Sequence, residues 1–192
     1  MTDNYCWYKT KLSAKDLLNS SWNFKATIPY EIKFDQVPIT NKFIEYLKQF
    51  DLDYANTMMF YRSPGSNPFG SNPLTSHIDL DHNNELCSPA LNYVIGGENS
   101  VMNWFKMPDE KYQVKFTPAN TAYCSFKNNE LEKIDQAELG QDLTLVRVDI
   151  PHNVLIGKEA RLCISIRFKP ICYRRWEDVV NFFNERDLLI AR

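Results

Sequence analysis

Apolar residues recur along this chain at two different periods, and the change of period divides it into regions. Phe43, Ile44, Leu47 and Phe50 fall at helical spacing, which predicts an amphipathic helix capped by Thr40 and running to about Gln49. A shorter helix is predicted from residue 12. Ser13 can cap it, Asp16 stands three residues on, Leu12 can staple to Leu17, and the run ends near residues 19–21. Residues 174–189 return to helical spacing, with Trp176, Val179, Val180 and Phe183 on one side, as expected of a helix lying across the outside of a sheet.

Between these helical stretches the period drops to two. Extended segments are predicted at 24–28 and 31–34, broken by Pro29, and strands at 57–61, 90–95, 100–106, 114–117, 121–126, 143–150 and 161–168. Gly96 and Gly97 between two of them predict a hairpin. Many short strands at such spacing indicate an all-β core with flanking helices, an antiparallel sandwich or barrel and not alternating β-α units. No repeat or composition change splits the chain, so one domain is expected over 1–192. Its β core would span 57–168, with 1–56 and 169–192 packed on it as helical or extended flanks. The Ser-, Asn-, Pro- and Gly-rich stretch 63–76 is expected to form the rim of a site.

Composition narrows the partners. With 44% hydrophobic residues the 192-residue chain can fill a sizeable core, and a net charge of -2 gives no reason to expect nucleic acid. No apolar run is long enough to cross a bilayer, and the N-terminus lacks the layout of a secretory signal. The five cysteines are odd in number and form no CxxC pair. Reduced, packed thiols in a cytoplasmic protein are therefore expected, which argues against a cysteine-based zinc site.

The candidate chemistry lies in the histidines, of which there are three: His77, His82 and His152. His77 and Asp79 are two residues apart, so on a strand both side chains point the same way. With His152 arriving from a distant strand end after Pro151, they make two imidazoles and one carboxylate. Non-haem Fe(II) uses that donor set with positions left open, and zinc can use the same groups plus water. His82 and Asp81 compete for the same role, Asp81 being expected in an outer position or at the surface. In residues 161–168, Arg161, Cys163, Ser165 and Arg167 share one face and Leu162, Ile164, Ile166 and Phe168 the other. An arginine pointing into a barrel needs an anion, and its planar fork suits a carboxylate. A solvated face with surface ion pairs is the alternative.

The order HxD, a long interval, a distal histidine and then an arginine on the last strand resembles the iron(II)- and 2-oxoglutarate-dependent dioxygenases. The stretch from Tyr61 through Pro64 and Gly65 to Asp79, the Gly96-Gly97-Glu98-Asn99 turn and Pro151-His152-Asn153-Val154 are similar to the prolyl-hydroxylase-like branch, with Asn99 departing from its usual threonine. The resemblance covers roughly residues 57–168. It implies a double-stranded β-helix (a cupin-like jelly roll) with His77, Asp79 and His152 as Fe(II) ligands and catalytic centre. It implies Arg161 on the far carboxylate of 2-oxoglutarate, Tyr61 or Ser165 supplying a hydroxyl, and O2 as the second co-substrate. Asn92 or Trp104 would line the site, and Arg167 is the alternative carboxylate binder. The implied activity is hydroxylation of a small molecule, amino acid or peptide side chain. A cupin-like metalloenzyme that does not use 2-oxoglutarate and a non-catalytic jelly-roll binding protein are the competing readings.

Overall fold

Alternation along residues 161–168 makes a strand with one apolar and one polar face, and the fold buries both. The computed structural model describes residues 5–26, 28–34, 37–65, 75–80, 86–109, 114–116, 122–127, 131–169 and 171–191. One sheet contains β1 (Trp7–Lys9), β2 (Tyr30–Phe34), β3 (Asp53–Arg62), β5 (Pro89–Gly96), β10 (Thr144–Arg147) and β12 (Arg161–Lys169), in the order β1-β10-β5-β12-β3-β2. The other contains β4 (Thr75–Asp79), β6 (Val101–Phe105), β7 (Val114–Phe116), β8 (Ala122–Lys127), β9 (Lys133–Glu138) and β11 (His152–Leu155), in the order β7-β8-β4-β11-β6-β9. All the pairings are antiparallel. The architecture is an all-β core with two flanking helices, α1 (Asn41–Lys48) and α2 (Trp176–Glu185).

The apolar face of β12 looks outward onto those helices. Leu162, Ile164, Ile166 and Phe168 join Leu91 and Leu145 in a layer that also holds Phe43 and Leu47 of α1 and Trp176, Val179 and Phe183 of α2. Burying each such side chain is worth roughly 1.5–3 kcal/mol, so this layer anchors both helices. Thr40 caps α1 as expected, its hydroxyl accepting from the Phe43 N–H at 3.1 Å. The opposite face of β12 looks between the sheets. Cys163 packs there with Ala90, Val94, Met102, Trp104 and Val146.

Two expectations need correction, and two features of the sheets were not anticipated. Residues 12–21 form turns and not a helix: Ser13 Oγ accepts from Lys15 N, Asp16 takes a positive φ of 63°, and the Thr40 hydroxyl bonds the Asp16 carbonyl. Leu12 and Leu17 are nonetheless buried, so the apolar spacing reported packing and not helix. The segments at 90–95 and 100–106 do not pair as a hairpin. β5 pairs with β10 and β12 and β6 with β11 and β9, so the connection at residues 96–99 crosses from one sheet to the other. The flanks are part of the sheet as well as a covering, since β1 and β2 pair with β10 and β3. Finally, β9 lies in a stretch whose polar composition gave no strand signal, its exposed positions having no need of apolar residues.

Candidate metal centre

Two adjacent strands of the second sheet bring the centre together. In β4 the residues alternate, so His77 and Asp79 face the space between the sheets while Ile78 is buried on the other side with Cys124 and Phe126. β11 starts at His152, directly after Pro151. There it pairs with His77 on one side and Trp104 on the other. The expected strand-end histidine is thus the first residue of a strand held on both edges.

The geometry follows from that register. The imidazole rings of His77 and His152 have centroids 4.4 Å apart. Asp79 Oδ1 lies 3.4 Å from His77 Nε2 and 3.9 Å from His152 Nε2, and the three groups can place one ligand atom each within 4.8 Å of the others. Ligand atoms bound at about 2.0–2.2 Å stand roughly 3.0 Å apart at neighbouring octahedral corners and roughly 3.4 Å apart at tetrahedral ones. Small side-chain rotations therefore suffice to close the set on a metal ion.

The supporting bonds point the right atoms inward. His152 Nδ1 is 3.0 Å from the Ile150 carbonyl, which as acceptor fixes the proton on Nδ1 and leaves Nε2 with its lone pair toward Asp79. Arg167 donates through Nη2 to Asp79 Oδ2 at 2.6 Å and through Nη1 to the Pro89 carbonyl at 3.1 Å. Oδ2 is thereby occupied, and Oδ1 is the oxygen presented to the two histidines. Burial lowers both imidazole pKa values, His77 to about 3 with the neighbouring His152 adding to the effect. Burial alone would raise the Asp79 carboxyl, but His152, Arg167 and His77 outweigh it and hold the group below the ordinary aspartate value. Neutral imidazoles beside a carboxylate are the protonation state a cation requires. The donor set fits a divalent metal.

Comparison of the sequence with protein-family models gives no match, and comparison with curated proteins gives none either.

The remaining expected site residues divide by face. Arg161 and Ser165 share the inward face of β12 with Cys163 and Arg167, and all are buried. Asn92 sits opposite Ser165 on the inward face of β5, and its Oδ1 is buried without a hydrogen-bond partner. Tyr61 requires a correction. It lies opposite Leu162, in the helix-side layer, with its ring 5.3 Å from that of Phe24, because alternation along β3 sends Phe60 inward and Tyr61 outward. Trp104 is fully buried between the sheets and donates to the Arg147 carbonyl at 2.7 Å. His82, Asp81 and residues 66–74 of the expected rim lie outside the described residues. Sequence reading offered Arg167 only as a carboxylate binder and missed its bond to Asp79. The Ile150 and Pro89 carbonyls were also missed, since main-chain acceptors leave no residue-type signal.

Proposed function

We propose that the protein is an Fe(II)- and 2-oxoglutarate-dependent oxygenase that hydroxylates its substrate while 2-oxoglutarate is decarboxylated to succinate and CO2. The observation that carries this reading is the convergence of His77, Asp79 and His152 on one point between the sheets, three protein donors among the described residues, a set that leaves positions open on the metal. Strand pairing supports it. β3 pairs with β12, β4 with β11, β5 with β10 and β6 with β9, the pattern of one long antiparallel hairpin rolled into a double-stranded β-helix.

Fe(II), 2-oxoglutarate and O2 would supply the oxidising chemistry, and the chain supplies placement. His77, Asp79 and His152 hold the metal on one side. Arg167 orients Asp79 and is itself committed to that carboxylate and to Pro89. Of the two arginines on β12, Arg161 is the one left for the far carboxylate of 2-oxoglutarate. It is buried on the inward face of the same strand, and no carboxylate pairs with it among the described residues. Ser165 and the Asn92 amide line the wall between the two arginines and offer polar atoms to the same co-substrate. The exclusion of water by Trp104, Met102 and Val146 strengthens each of these polar contacts.

The test is an anaerobic titration of metal-free protein with Fe(II) and then 2-oxoglutarate, followed by visible absorption. A metal-to-ligand charge-transfer band is expected on addition of 2-oxoglutarate. Fe(II) binding without the band would favour a metalloenzyme that does not use 2-oxoglutarate, and binding of neither would favour a non-catalytic binding protein.

A further inference from the structure

Two buried cysteines meet behind the metal centre, in segments that have no part in holding a metal. Cys87 lies just before β5, and Cys172 lies in the 3-10 turn Ile171–Tyr173 that follows β12. The Ser88 N–H donates to the Cys172 carbonyl at 2.9 Å, so the two backbones are tied together at the cysteines themselves. A main-chain bond at that position brings the two Cα atoms toward the separation of about 4.4–6.8 Å that a disulfide spans. The Cys87 thiol donates to the Pro89 carbonyl at 3.6 Å, and the charge states of the two thiols depend on each other. All five cysteines are free.

We propose that Cys87 and Cys172 form a reversible redox pair, closed by hydrogen peroxide to a disulfide that locks the start of β5 to the turn after β12. The two thiols are unequal in a way that suits this. The neighbouring Cys87 draws Cys172 down to about 7 against the opposing effect of burial, with Arg167 adding its charge, while Cys87, its proton directed to the Pro89 carbonyl, is pushed up. Because the Cys87 proton is bonded to Pro89, we assign Cys172 as the nucleophile and Cys87 as the resolving thiol. The Cys172 thiolate attacks the peroxide O–O bond, giving a sulfenic acid and releasing hydroxide, which takes up a proton as water. The Cys87 sulfur then attacks the Cys172 sulfur, the S–O bond breaks, and its oxygen leaves as water with the Cys87 proton. The pair loses two electrons and the peroxide gains them. The consequence is local. Pro89 O accepts from both Cys87 and Arg167, so oxidation removes one of the donors on the carbonyl that anchors Arg167.

Metal-stripped protein treated with a small excess of hydrogen peroxide, alkylated and mapped by peptide mass spectrometry tests the pair. Loss of two of the five thiols is expected, with a single Cys87–Cys172 linkage that dithiothreitol reverses. A disulfide between any other cysteines, a sulfinic acid in place of a linkage, or retention of all five thiols would overturn the proposal. Cys172→Ser should keep its remaining thiols at the same dose, and loss of a pair of them would also overturn it. If that variant fails to fold, the wild-type map alone decides. Because the protein is free of metal throughout, the result is independent of the oxygenase reading.

Discussion

Asp79 gives one carboxylate oxygen to Arg167 and turns the other toward His77 and His152. The division makes Arg167 a positioning residue, and its removal should be felt at the metal. In Arg167→Gln the affinity for Co(II), read from its d–d absorption, should fall by about 10–100-fold, as is usual when the group supporting a ligand is lost. An unchanged affinity would show that Asp79 needs no such support. Arg161 has the opposite signature. Arg161→Ala should weaken 2-oxoglutarate binding to the Fe(II) protein at least tenfold while leaving Fe(II) affinity nearly unchanged. Equal loss of both, or of neither, would remove Arg161 from that role. The two arginines stand six positions apart on one strand, so both point inward, but sequence spacing could not say which of them meets Asp79.

At the level of elements, the connection from β5 to β6 decides how the two sheets join. Gly96 and Gly97 take positive φ values of 66° and 72°, and a Cβ on Gly97 would lie 2.7 Å from the Cβ of Arg161. The crossover therefore packs its backbone directly on the base of the arginine proposed to hold the co-substrate. Gly97→Ala should cost about 1–3 kcal/mol in chemical denaturation, from backbone strain and from displacement of Arg161. A variant as stable as the parent, with 2-oxoglutarate binding intact, would mean that the close approach relaxes without consequence. The glycine pair fits a hairpin locally, because a turn that reverses within one sheet and a turn that crosses between sheets call for similar residues. Only the partners of β5 and β6 distinguish them.

For the molecule as a whole, the buried polar centre sets how stability responds to acid. The His77 imidazole, ordinarily near 6.5, titrates at about 3 in the fold. Between those values the unfolded chain binds a proton that the folded chain refuses, so stability is full above 6.5 and is lost as pH falls toward 3. His152 shifts in the same direction, and Asp79, held low, adds a loss at still lower pH. The melting temperature of metal-free protein should therefore fall steadily from pH 6.5 to pH 4, and less steeply in His77→Gln. Parallel curves for the two proteins would show that His77 is not buried in its neutral form.

Much of this was legible from the sequence. The period of two in residues 161–168 predicted a strand, the HxD spacing predicted a shared face for His77 and Asp79, and the apolar stripe around Phe43 and Leu47 predicted a helix with Thr40 at its start. These are local properties, determined by which way successive side chains leave the backbone. What only the tertiary structure decided is non-local. His77 meets His152 because β4 pairs with β11, Arg167 meets Asp79 because opposite sheets stack, and Tyr61 is excluded because the parity of β3 turns it to the helices. Spacing within a strand determines which face a residue occupies. Which faces then meet depends on contacts between distant segments, and no window of sequence contains both.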